Sequence, residues 1–507
     1  MEGPSVALTK GTSRLADWLV ALACVVAAVS CALALAAAWR WPLVGDAALM
    51  RYVVFLLHAG CAPYREIIDI NLPGSYFVEW CAMHVFGAGA HGLRLYDGVL
   101  CALAIIGVVV LSAHGLRARL CGLLAGLLFV LIHLRDGVVQ GGERDLAMAV
   151  LVLLAYAVLL RRPFRGRPGG IVGFELLVGL TLTIKPTLLP LAIVPALQIL
   201  LSGEKLSRRS AALAVGLVAL LLPLAGMLLW LYGAGSLAAF VQVLGTVDAA
   251  HGMLAHETLW ALLRHSVAPI AVVFGLAAVL LLRSKRKDTE MKLLLFGVVC
   301  GLLSFLAQSK GFPYQRYPFL LLGLVVIARV VAGALGERGL TLAVGALLVV
   351  VSGLWLAPTY AATVRSYDAS APFEQALGGD LTARGAVNGS VQCLDTVGGC
   401  INTLYDLRLV QSTGFLYDCY AYEGTDQRAY RDRFLNALEA ARPRTIVFSS
   451  QFCLEQRYGF ERIDRWPELE NFIAKNYRMD GGWQARTTVR WWHQRETPPG
   501  YEVFTRR

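Results

Sequence analysis

Gly45-Asp46-Ala47-Ala48-Leu49-Met50-Arg51-Tyr52, then Pro63-Tyr64-Arg65-Glu66, then Asp69-Ile70-Asn71-Leu72-Pro73-Gly74-Ser75-Tyr76: residues 45–76 decide how this chain is read. They follow directly on an apolar run, residues 17–38, long enough to cross a bilayer. A carboxylate at the end of a first membrane helix, ahead of a charged loop, is a costly arrangement. Ionisable groups at membrane depth are usually kept for function.

The rest of the chain agrees with a membrane setting. Of 507 residues, 57% are hydrophobic and only 16% charged, with a mean hydropathy of +0.59. A soluble chain carries more charge. Eleven stretches approach the length of a span: 17–38, 93–113, 120–134, 145–160, 171–185, 187–201, 211–232, 266–282, 292–308, 317–333 and 340–357. Four of them, from 120–134 to 187–201, are short. From Tyr360 onward charge rises and long apolar runs stop, which predicts a soluble domain of ordinary size. The expected organisation is a polytopic helical membrane domain over 1–357, with a first outer loop at 39–92, and an exported α/β domain over 358–507.

The net charge of +11 would suit nucleic acid, but its distribution does not. Lys and Arg gather in alternate short loops: Arg117 and Arg119, Arg161 to Arg167, Lys205 to Arg209, Arg283 to Lys292, and Arg338. Cytoplasmic loops of membrane proteins are enriched in this way. With Lys10 and Arg14 also inside, the pattern puts the N-terminus on the cytoplasmic side of the membrane. It puts 39–92, 134–144, 233–265, 309–316 and the C-terminal domain outside. The first helix is expected to be an uncleaved signal anchor.

Within the first outer loop, residues 47–58 and 75–86 are too short to span and suit interfacial helices. In the C-terminal domain, Ser390–Asp395, Thr445–Ser449 and Tyr501–Thr505 read as strands, and Asp432–Ala441 and Glu468–Asn476 as amphipathic helices. Cys393, Cys400, Cys419 and Cys453 lie there, where an oxidising compartment permits disulfides of a pairing that spacing does not assign. Their spacing lacks the His partners of a zinc site.

Two groups of residues carry chemistry. Asp46 sits at an outer membrane–water boundary, where a carboxylate can serve as a general base. The bland alternative is a helix-end residue solvated by headgroups. Arg144, Lys185 and Lys310 sit at outer ends of spans, on the side where cations are normally depleted. Snorkelling explains each singly. A shared anionic ligand explains all three, and phosphate at the bilayer surface is the natural one. His133 reads as a packed histidine, and Asp97 and Asp136 as partners of nearby cations. A base and a cationic phosphate site at one membrane face define glycosyl transfer from a polyprenyl-phosphate donor to an exported hydroxyl.

These same residues resemble the glycosyltransferase-C superfamily, in particular its protein O-mannosyltransferase and lipid A aminoarabinose transferase branch. Asp46 is similar to that family's catalytic aspartate. Pro63-Tyr64-Arg65 and Asn71-Leu72-Pro73-Gly74-Ser75-Tyr76 resemble its PYRD…KPPxxY stretch. Arg94, Arg144-Asp145 and Lys185-Pro186 fall where the family often has R, RD and KP. Gln308-Ser309-Lys310 with Tyr314-Gln315-Arg316-Tyr317-Pro318 resembles its K…YH…P loop. The likeness covers roughly residues 15–330. Two departures stand out. Ala47 replaces an acid that often follows the catalytic Asp, and Asn71 replaces a lysine that contacts the donor phosphate.

The resemblance implies a membrane hexosyl- or pentosyltransferase. Asp46 is its expected base, and Lys310, Lys185, Arg144 and Arg65 its expected donor-phosphate contacts. Asp69 and Glu66 are candidates for orienting the acceptor or binding a divalent cation; no cofactor is otherwise expected. The expected partners are a polyprenyl-phosphate-linked sugar, an exported glycan, lipid or protein acceptor, and membrane lipids, with no nucleic acid. A polymerase or ligase using a diphosphate-linked oligosaccharide, a non-catalytic envelope assembly protein and a transporter remain open. Paired broken helices would mark a transporter; here polar residues gather at the outer ends of spans.

Overall fold

A computed structural model describes residues 4–112, 114–162, 168–201, 206–248, 256–264, 275, 288–335, 371–395, 399–422, 427–451, 459–484, 489–491, 494–496 and 499–507. The stretches 266–282 (except residue 275) and 340–357 lie outside them. Among the described residues, six helices are long and apolar enough to cross a membrane: Asp17–Ala38, Ala90–Leu111, Leu116–Asp136, Ser207–Gly233, Thr289–Gln308 and Pro313–Ala334. The chain is a multi-pass helical membrane protein.

The short stretches fare differently. Residues 145–160 form a helix over Arg144–Arg161, and 171–185 one over Gly169–Ile184 of only 16 residues. The stretch 187–201 is not one helix. It begins as a 3-10 helix, Pro186–Ile193, and continues as a short α-helix, Val194–Leu200. Pro186, Pro190 and Pro195 explain this, since each lacks an N–H to donate.

Contacts divide the chain into two compact units. The first holds 1–41, 91–226 and 257–364. Within it, Asp17–Ala38 packs on Leu116–Asp136, and Cys24 and Cys31 donate to the carbonyls of Leu120 and Leu127. Gly122 and Gly126 let two helices meet. A Cβ on Gly126 would lie 2.8 Å from the Ile105 Cα, and one on Gly122 only 2.4 Å from the Ser112 Oγ. Small residues four apart serve close helix packing in lipid, where hydrophobicity alone gives no drive to associate.

The second unit holds 42–90, 227–256 and 365–507. The first loop thus groups with the C-terminal region. Composition had divided the chain elsewhere, at residue 357. Within this unit lies a four-stranded sheet in the order Val391–Leu394, Thr445–Ser449, Tyr501–Arg506, Tyr477–Trp483. The first pair is parallel and the other two are antiparallel. The helices Gln427–Ala441 and Pro467–Asn476 occupy the expected places. Cys393 is bonded to Cys400, and Cys419 is also disulfide-bonded.

The loop helices are Gly45–His58 and Pro73–Phe86. On the first, Ala47, Leu49, Met50, Tyr52, Val53, Val54 and Leu56 are buried by the Pro73–Phe86 helix and by the Cys400–Asp406 helix. On the second, Phe77, Trp80 and Val85 remain exposed. Arg51 is fully buried and donates to Glu79 at 2.6 Å and to the carbonyls of Gly87 and Gly89. Burial lifts the Glu79 carboxyl above its ordinary range, with Arg51 pulling the other way.

Candidate functional site

In the second unit, Asp46 is half-buried in the first turn of the Gly45–His58 helix. Gly45 has φ +62°, a left-handed conformation that a side chain disfavours. The chain turns there and starts the helix at once, with the carboxylate in its first turn. A negative charge is favoured at that end of a helix.

Asp69 is buried and serves a different purpose. Its oxygens accept from Asn71 Nδ2 at 2.9 and 3.1 Å, from the Tyr76 hydroxyl at 2.9 Å and from the Tyr417 hydroxyl at 3.4 Å. The Tyr64 hydroxyl donates to the Asn71 carbonyl at 2.5 Å. So Asn71, which stands where the resembled family has lysine, is an internal tie of the loop. Glu66 accepts from the Ala62 amide at 2.7 Å and lies 3.8 Å from Arg65, both side chains more than half exposed. Asp69 and Glu66 therefore hold the loop's own backbone and tyrosines. An acceptor or cation would have to displace those donors from Asp69.

The first unit contains a dense polar cluster built from the segments 133–145, 185 and 308–317. Lys185 Nζ donates to both Asp145 oxygens at 2.9 Å and to Gln308 Oε1 at 3.0 Å, and lies 5.7 Å from the centre of the Tyr314 ring. Gln140 Oε1 accepts from the Tyr314 amide at 3.1 Å. Arg316 donates to both oxygens of Asp136 at 2.7 Å. Lys310 is buried in a sharp turn, where Ser309 and Gly311 both have positive φ. Arg144 opens its helix next to buried Glu143, 3.8 Å away.

Sequence reasoning assigned Lys185 to a ligand and overlooked its protein partners. Forty residues separate it from Asp145 and 123 from Gln308, so local spacing carried no signal. It read His133 as packed, which its full burial bears out, but missed its partners. The fully buried imidazole touches the Tyr317 hydroxyl at 2.8 Å through Nδ1 and Asp97 at 3.1 Å through Nε2. Asp97 also accepts from the Gly142 amide at 2.7 Å. Asp97, Cys101 and His133 lie close enough together to hold a metal ion. Both ring nitrogens of His133 already have protein partners.

No family model matches the chain, and none of the curated proteins does. Among solved structures, ArnT from Cupriavidus metallidurans bound to undecaprenyl phosphate is similar over 95% of this chain and 97% of its own, with TM-score 0.56 and 12% identity. The Archaeoglobus fulgidus oligosaccharyltransferase in complex with zinc and sulfate is similar over 84% of this chain and 68% of its own, with TM-score 0.47 and 12% identity. At that identity the first likeness speaks for the fold. That shared fold is a helical membrane protein with a small sheet in its C-terminal region.

Proposed function

We propose that this protein is a membrane glycosyltransferase that moves a sugar from a polyprenyl-phosphate donor to an exported hydroxyl. The carrying observation is the cation-rich cluster of Lys185, Lys310 and Arg144 within a fold shared with a protein that binds undecaprenyl phosphate. Asp46 accepts the proton of the acceptor hydroxyl. The acceptor oxygen attacks the anomeric carbon, and the bond to the phosphate oxygen breaks. The departing phosphate gains negative charge, which fixed cations stabilise.

Lys310 and Arg144 are direct contacts in this reading. Lys185 already has three acceptors, so it reaches a phosphate only by sharing its ammonium with Asp145. Arg65 is exposed and supplies a further contact.

Binding of undecaprenyl phosphate tests the donor site. Lys310→Ala is expected to weaken it by about 1.5–3 kcal/mol, the range for a hydrogen bond to a charged group. Lys185→Ala is expected to weaken it less than additively with Lys310→Ala, because neighbours on one ligand couple. Unchanged lipid affinity in both single variants, measured by titration in nanodiscs, would remove them from the phosphate site.

The catalytic surface is proposed to lie outside the cytoplasm, from the loop charge pattern. Reporter fusions after Arg507 check this. A periplasmic reporter is expected to be active there, and activity of a cytoplasmic one would overturn the orientation.

A further inference from the structure

We infer that Asn402 is a positioning residue for Asp46: its side-chain amide clamps the segment that leads into the Asp46 helix and ties it to Glu374. The inference rests on the reading of Asp46 as the base. Asn402 is buried, and its Nδ2 donates to the carbonyl of Leu43, three residues before Asp46, and to Glu374 Oε1 at 2.8 Å. One amide nitrogen carries two hydrogens, so both are used. Its Oδ1 has no partner among the described residues. The two nitrogen bonds alone fix the orientation, since the flipped amide would aim oxygen at two acceptors.

The segment after Asn402 continues the clamp. The Tyr405 hydroxyl donates to the Ala88 carbonyl at 2.8 Å, and the Tyr52 hydroxyl to the Leu409 carbonyl at 3.0 Å. The Gln411 amide donates to the Tyr52 oxygen at 2.9 Å, and the Ile68 amide to the Gly414 carbonyl at 2.8 Å. At its other end the Cys400–Asp406 helix is held by the Cys393–Cys400 disulfide and by Asp395, which accepts from the Gly399 and Cys400 amides. The clamp is therefore anchored to the sheet.

Glu374 gives the clamp a pH dependence. Burial lifts its carboxyl to about 7; Asp406 and Asp395 add to the rise, and the Asn402 hydrogen bond opposes it. Asp406 is in turn faced by Arg408. Ionised Glu374 accepts from Asn402 more strongly than the neutral acid does. The clamp is thus tighter above that pH than below it.

Two measurements on the full chain in nanodiscs test this. Amide hydrogen exchange of residues 43–50 is expected to speed up at least 10-fold in Asn402→Ala, and less in Glu374→Ala. Glu374→Gln, which still accepts from Asn402, is expected to restore the wild-type rate and to remove its pH dependence near 7. Release of undecaprenyl phosphate from synthetic undecaprenyl-phosphate hexoses and pentoses is the second readout. Asn402→Ala is expected to lower kcat 10- to 100-fold with KM within twofold, and to cause no further loss on top of Asp46→Asn. Unchanged exchange at 43–50 in Asn402→Ala overturns the clamp whatever Asp46 does. Undiminished turnover in Asp46→Asn sinks the base instead, and exchange still decides the clamp. A further kcat loss in the double variant would show that Asn402 acts on something other than Asp46.

Discussion

Asp46→Asn is expected to lower turnover by about 10²–10⁴-fold, the usual cost of removing a general base. The substitution keeps the size of the side chain and its place in the first turn of the Gly45–His58 helix. It removes a charge from a helix N-terminus, which costs only ~0.3–1 kcal/mol. The chemical effect therefore exceeds the structural one by about 2–5 kcal/mol, and the two separate cleanly. Sugar release from undecaprenyl-phosphate donors should collapse while the thermal midpoint in nanodiscs barely moves. Turnover within a few-fold of wild type would exclude Asp46 as the base.

Arg51→Ala should have the largest effect on stability. Arg51 is fully buried and Glu79 nearly so, with side-chain accessibilities of 0% and 6%. Removing one member of a buried pair leaves an uncompensated charge and costs about 3–5 kcal/mol. Here the carbonyls of Gly87 and Gly89 lose a donor as well. The sign with pH follows from Glu79. Its folded-state affinity for protons is already raised by burial, and losing Arg51 raises it further. A raised carboxylate weakens the folded state as pH climbs from the ordinary carboxylate range through the raised value. The deficit of Arg51→Ala is therefore expected to be smaller in mild acid and larger at neutral pH. Replacing both residues, Arg51→Met with Glu79→Leu, should recover most of the loss, since apolar substitutes for buried pairs are often tolerated. Thermal midpoints of the three proteins across pH check this. A single variant within about 1 kcal/mol of wild type would show that the pair carries little.

The sequence revealed what depends on neighbours within one or two turns. Apolar runs located the helices, and short β-branched runs located Val391–Leu394 and Thr445–Ser449. Tyr477–Trp483 escaped notice because Arg478, Met479, Asp480 and Gly481-Gly482 carry neither strand-forming side chains nor alternation. The polar sites were legible as residues and illegible as pairs. Periodicity tells which face of a helix is buried and not what it meets. So Lys185 was recognisable as an anomalous cation, but Asp145 as its partner was not. Likewise nothing local joined Arg51 to Glu79, 28 residues on, or His133 to Asp97, 36 residues back. Asn402 gave no signal at all, because its partner Leu43 contributes only a backbone carbonyl.

The clamp also sets an order of events during synthesis. Leu43 and Asn402 are 359 residues apart. At about 5–20 residues per second, the segment bearing Asp46 leaves the ribosome roughly 20–70 s before the residues that hold it. Every apolar helix between them is made first. The loop bearing Asp46 cannot complete its fold until Asn402 has been made, so a chain cut short before it has its membrane helices but no braced loop. Completion of that loop is thereby tied to synthesis of the segment carrying Asn402 and to closure of the Cys393–Cys400 bond.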